Sequence, residues 1–62
     1  MAHSLSKNKR TVTFYYTNEN YVAIHESDAA TGNVFKCHDK NASSARDFYR
    51  HLRNCGYTAV NA

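Results

Sequence analysis

Proline is absent from this 62-residue chain, and glycine occurs only at Gly32 and Gly56. Both glycines are therefore expected in turns that need a positive φ, which residues with a Cβ resist. No apolar run is long enough to span a membrane, and the first ten residues, MAHSLSKNKR, lack the apolar centre of a secretory signal. The expectation is a cytoplasmic protein without membrane contact. Cysteine is scarce, and in that compartment Cys37 and Cys55 are expected as reduced core residues rather than a disulfide. There is no Cys-x2-Cys pair, glycine-rich phosphate loop, internal repeat, low-complexity tract or interdomain linker. Acidic residues are the minority, five against eight Lys and Arg, for a formal net charge of +3. That excess suits nucleic acid or an acidic protein surface. So short a chain has room for one core only, built from one sheet and one helix.

Asn41 to Gly56, NASSARDFYRHLRNCG, is the segment whose start, period and stop agree on one element. Asn41, Ser43 and Ser44 are candidate N-caps, Asp47 follows Ser44 by three as in a capping box, and Gly56 stands where a left-handed C-cap is wanted. Ala45, Phe48, Tyr49, Leu52 and Cys55 recur at helical steps as one apolar stripe. Arg46, Arg50 and Arg53 form a basic ridge beside it.

Upstream, TVTFYYT is dense in β-branched and aromatic residues, and Val12, Phe14 and Tyr16 alternate as one strand face. Asn18-Glu19-Asn20 supplies a turn. Pairing Thr17 with Tyr21 sets Tyr16 against Val22 and Phe14 against Ile24, which puts the large apolar residues on one side. The next turn, SDAATG, leads to a third strand. Setting Ile24 against Phe35 and Val22 against Cys37 brings Phe35 and Cys37 to the core side, with Asp39-Lys40-Asn41 turning the chain into the helix. The predicted fold is α+β, a three-stranded antiparallel sheet in the order 1-2-3 packed on one C-terminal helix (βββα), with YTAVNA as a possible short final strand. Residues 1–10 hold too little apolar surface to order themselves and are expected as a flexible basic arm, leaving residues 11–62 as a single domain.

This register leaves an outer sheet face of Thr13, Tyr15, Thr17, Tyr21, Ala23, His25, Val34, Lys36 and His38, with no acidic residue. Rings interleaved with cations suit nucleic acid: cations neutralise phosphates, hydroxyls hydrogen-bond, and rings stack on exposed bases. Strand-forming Thr and Tyr would also occur on an ordinary half-solvated sheet. Lys7, Lys9 and Arg10 of the arm would add phosphate contacts.

The run YVAIHESDAATGNVFKCHDKNASSARDFYRHL resembles the βββα units of AP2-type and tyrosine-integrase N-terminal DNA-binding domains, through Thr31-Gly32, Phe35, Ala45, Phe48 and Tyr49. The resemblance covers about half the chain. It implies DNA contact through the outer sheet face, falling here on Tyr15, Tyr21, His25 and Lys36. The expected strands depart from those families in carrying no arginine.

A metal site from His25, Cys37, His51 and Cys55 fails in this register, which sets His25 and Cys37 on opposite faces. A Cys37–His38 dyad fails because neighbouring strand residues point to opposite faces. The expectation is therefore a small basic nucleic-acid-binding protein, neither enzyme nor metal protein, with no cofactor. It contacts DNA (or RNA) through Lys7, Lys9, Arg10, Tyr15, Tyr21, His25 and Lys36. The alternative is a small phage- or mobile-element-type protein that binds and modulates a host protein of acidic surface through Arg46, Arg50 and Arg53, since Tyr and Arg are enriched in interface hot spots. An exposed third strand leaves both monomer and homodimer open.

Overall fold

Leu5, the one large aliphatic of the expected arm, is fully buried. The computed structural model describes residues 2–18, 20–28 and 30–60; expectations that fall on Met1, Glu19, Ala29, Asn61 and Ala62 lie outside them. Ala2–Lys7 is a strand, β1, paired antiparallel with β2, Arg10–Tyr16, so that Leu5 opposes Val12. The flexible arm is thereby corrected. Its composition orders nothing by itself, but a two-residue loop with Asn8 at φ 56° folds it back onto a strand that supplies both backbone partners and a core.

Strand β3, Tyr21–Asp28, pairs with β2 in the expected register, Tyr16 against Val22 and Phe14 against Ile24. Strand β4, Val34–Asn41, follows, then helix α1, Ala42–Asn54, and a short strand β5, Thr58–Val60, paired with β1. The fold is α+β, a five-stranded antiparallel sheet in the order β4-β3-β2-β1-β5 with one helix before the last strand. The three expected strands become five: the possible final strand is present as β5, and the unexpected strand β1 offers it a free edge. No helix among the described residues is long and apolar enough to cross a membrane.

The register of β4 differs from expectation. Ile24 opposes His38 rather than Phe35, and Val22 opposes Lys40 rather than Cys37. The offset is three residues, and an odd offset exchanges the faces of the side chains from Lys36 onward, past the bulge. Its cause lies in the loop: β3 runs on to Asp28, whose Oδ1 accepts the amides of Ala30 (2.8 Å) and Thr31 (3.3 Å). The Asp28 carbonyl accepts the Gly32 amide, with Gly32 at φ 76°. A bulge at Glu26/Ser27 takes up the irregularity. Lys36, His38 and Lys40 therefore face the helix side, and Cys37 and Asp39 face away. No turn intervenes between β4 and α1.

The core is Leu5, Val12, Phe14, Val22, Ile24, Ala45 and Leu52, flanked by half-buried Phe48, Tyr49 and Tyr57. Cys37 and Cys55 are exposed free thiols, not core residues: the register carries Cys37 to the far face, and Cys55 is the C-cap of the helix. Asn41 is the N-cap, its Oδ1 accepting the Ser44 amide at 2.8 Å. At the other end the Tyr57 amide donates to the Leu52 carbonyl and the Gly56 amide to that of Arg53, with Gly56 at φ 100°, a Schellman ending. Asn41→Ala is expected to cost about 1 kcal/mol, seen as a urea midpoint lowered by about 1 M at unchanged slope.

Candidate functional site

Side-chain alternation sorts charge between the two sides of the sheet. Residues paired across from buried Val22, Ile24 and Glu26 face the helix, and they are Lys40, His38 and Lys36. Lys7 and Arg10 share that side with Leu5 and Val12, while Arg46, Arg50 and Arg53 are on the helix itself. Lys9 is in the β1–β2 turn. None of the eight Lys and Arg lies on the opposite sheet face.

That opposite face carries Ser4, Ser6, Thr11, Thr13, Tyr15, Tyr21, Ala23, His25, Cys37 and Asp39. Tyr15, Tyr21 and His25 are there as expected, with the rings of Tyr15 and His25 4.8 Å apart, and Ser4 and Thr13 hydroxyls hydrogen-bonded at 3.0 Å. Lys36 is not there: its Nζ lies 3.8 Å from Glu26 Oε2 on the helix side. Asp39 makes the face weakly acidic, contrary to the expectation of no acidic residue. The face can offer hydroxyls and two exposed tyrosines, but no cation for a phosphate.

The cations of the expected arm do converge. Lys7, Asn8, Lys9 and Arg10 line an open cleft of about 760 Å³ with Asp28, Phe35 and Tyr57. Lys7 Nζ donates to the Cys55 carbonyl, a favourable place for a cation at a helix C-terminus. The Arg10 guanidinium sits 5.3 Å from the centre of the Phe35 ring. Phe35, expected in the core, is instead 55% exposed. The bulge turns both Phe35 and Lys36 toward the helix side, against Arg10 and Glu26 respectively. Asp28 is the only acid in the cleft lining, and its carboxylate already holds the loop amides.

At the other end of the helix, Arg46 lines a smaller cleft of about 220 Å³ with His3, Tyr16, Ala42, Ala45 and Tyr49. Arg50 and Arg53 are exposed. Between β3, β4 and the helix, buried Glu26 faces Lys36 and His38; His38 Nε2 is buried 3.4 Å from the carboxylate without meeting hydrogen-bond geometry. Phe48 packs its ring 5.8 Å from that of His38, and Lys40 Nζ lies over Phe48 at 5.7 Å. These polar partners offset the desolvation of Glu26 at the margin of the core.

Metal-ligand candidates divide into two separated pairs. His25 and Cys37 are cross-strand partners on one face, correcting the expectation that they point apart. His51 Nε2 lies 3.6 Å from Cys55 Sγ on the helix. Among the described residues no three His, Cys, Asp or Glu side chains gather into a cation site. Cys37 and His38 face opposite sides of the sheet.

Sequence reasoning missed Phe35 and Tyr57 as cleft residues. The available signal was Asp28 before a small-residue loop, which marks an Asx turn and a longer third strand. No protein-family model, curated protein or solved structure matches this chain, so its site is read from its own geometry.

Proposed function

We propose that this protein binds nucleic acid, DNA or RNA, without catalysis, through the helix side of the sheet rather than the opposite face. The observation that carries this reading is the segregation of charge, with no Lys or Arg on the far face and Lys7, Lys9 and Arg10 gathered in one cleft. Phosphate contacts by such cations release counterions, so affinity falls steeply with salt. The acids on the helix side are Glu26, Asp28 and Asp47, and the first two are engaged by Lys36 and by the loop amides. Tyr15, Tyr21 and His25 have no phosphate contact to orient and drop out of the reading; Lys36 remains as a cation of the helix side.

The test is fluorescence anisotropy with labelled oligonucleotides between about 50 and 200 mM salt. The intact protein is expected to bind with a negative slope of log affinity against log salt. Lys9→Ala with Arg10→Ala, both exposed, should reduce that slope by roughly 1.5 to 2 and leave thermal unfolding unchanged. An unchanged slope would remove the cleft from the reading. A second reading is supported by Arg46, which lines a cleft with Tyr16 and Tyr49 and could dock, with Arg50 and Arg53, on a protein of acidic surface. Salt-tolerant binding to one protein, lost in Arg46→Ala and indifferent to the Lys9/Arg10 pair, would favour it.

A further inference from the structure

Phe35 is the exposed apolar residue of the cleft, and phosphate binding does not use it. A large apolar ring is exposed beside three cations, and it is there because the bulge turns it to the side its place in the alternation would deny it. Bulges commonly re-aim a side chain next to a working site. We infer that the cleft takes a single-stranded segment of nucleic acid, with one unpaired base against Phe35 and the adjoining phosphates on Lys7, Lys9 and Arg10. This rests on the nucleic-acid reading above and specifies the form of the ligand.

The chemistry selects the single strand. In a duplex the bases stack on one another and present only edges and phosphates, so a ring set among cations has no base face to meet. An unpaired base offers a π-face to any exposed aromatic, and the contact tolerates every base. Here the Arg10 guanidinium is already 5.3 Å from the Phe35 ring centre, so a base entering beside the ring would also meet a planar cation suited to stacking and to phosphate. Tyr57, half-buried against the core and held by the Schellman ending, forms a fixed wall. Asn8, exposed in the turn, presents an amide that can donate and accept at a base edge. At about 760 Å³ the cleft falls within the range that holds drug-sized ligands, ample for one nucleotide.

The experiment compares oligothymidylate, oligouridylate and a hairpin duplex, each of about ten nucleotides or base pairs, on the intact protein and on Phe35→Ala and Phe35→Trp. The expected result is single-strand binding at least about tenfold tighter than duplex binding. Phe35→Ala should lose about tenfold in single-strand affinity, within a range of roughly 5- to 100-fold, while Phe35→Trp keeps it. Either homopolymer bound in this way supports the inference, and a preference between them assigns DNA or RNA. Equal affinity for duplex and single strand, or an unchanged Phe35→Ala, would overturn the single-strand inference while salt-sensitive binding kept the nucleic-acid reading. Absence of salt-sensitive binding to any of the three would overturn both. Phe35 is exposed, so its variants should keep the circular dichroism spectrum of the parent, which separates lost binding from lost folding.

Discussion

Phe14→Ala is expected to unfold the protein at room temperature. Phe14 is the largest of the fully buried side chains, at the middle of β2, with the rings of Tyr49 and Phe48 at 5.5 and 5.9 Å. Removing it loses the transfer free energy of the ring and opens a cavity between sheet and helix, together costing about 3–5 kcal/mol. A core in a chain of this size rarely supplies more than about 3–5 kcal/mol of net stability, so the loss is comparable to the whole. Circular dichroism and urea unfolding would measure it. Tyr15, next in sequence and on the opposite face, provides the control: Tyr15→Ala should cost less than about 1 kcal/mol, because the residue is 41% exposed and its ring packs, tilted, beside that of His25. A Phe14→Ala variant that melts like its parent would mean that the helix does not cover β2.

The second large effect concerns β1. Leu5→Ala should cost about 2–5 kcal/mol, since Leu5 is fully buried against Val12 and lies opposite Ala59 of β5. Its loss undermines two strands, because β5 is paired only with β1 among the described strands. A free arm would make the same substitution harmless. Native-state hydrogen exchange of the parent gives a reading independent of whether the variant folds. Amides of β1 hydrogen-bonded to β2 should be protected as strongly as those of β3, whereas an arm in solution would exchange at the rate of an unfolded chain.

How legible the fold was differs from element to element, for identifiable reasons. The helix could be read because its cap, stripe and stop are local: Asn41, the Ala45/Phe48/Tyr49/Leu52 face and Gly56 all act within a turn or two of the backbone they shape. The β2–β3 register could be read because Val12, Phe14, Val22 and Ile24 are apolar on both strands, so only one alignment buries them together. On β4 the same rule misleads. It places Phe35 and Cys37 in the core, whereas the loop held by Asp28 and the carboxylate of Glu26 select Lys36 and His38 for the helix side, Cys37 faces away, and Phe35 stays on the helix side only at the bulge, exposed against Arg10. The candidate site inherited both outcomes. Charge alone singles out Lys7, Lys9 and Arg10, which the fold brings to one cleft, whereas Phe35 is expected in the core and Lys36 on a face from which it is absent.

The helix and its caps, the central hairpin, the α+β class and the basic excess are written in the order of residues, because they follow from contacts between near neighbours or from plain counts. It takes the folded chain to make the first residues a strand, to offset β4 by three, and to keep every Lys and Arg off one sheet face. Each of these depends on backbone pairing between segments that carry few apolar residues of their own. For β1 the deciding term is a partner strand and one buried leucine; for β4 it is a loop that sets the register before any side chain can. Backbone hydrogen bonds are alike for every residue type but proline, which this chain lacks, so the pairings they select leave little trace in composition or periodicity.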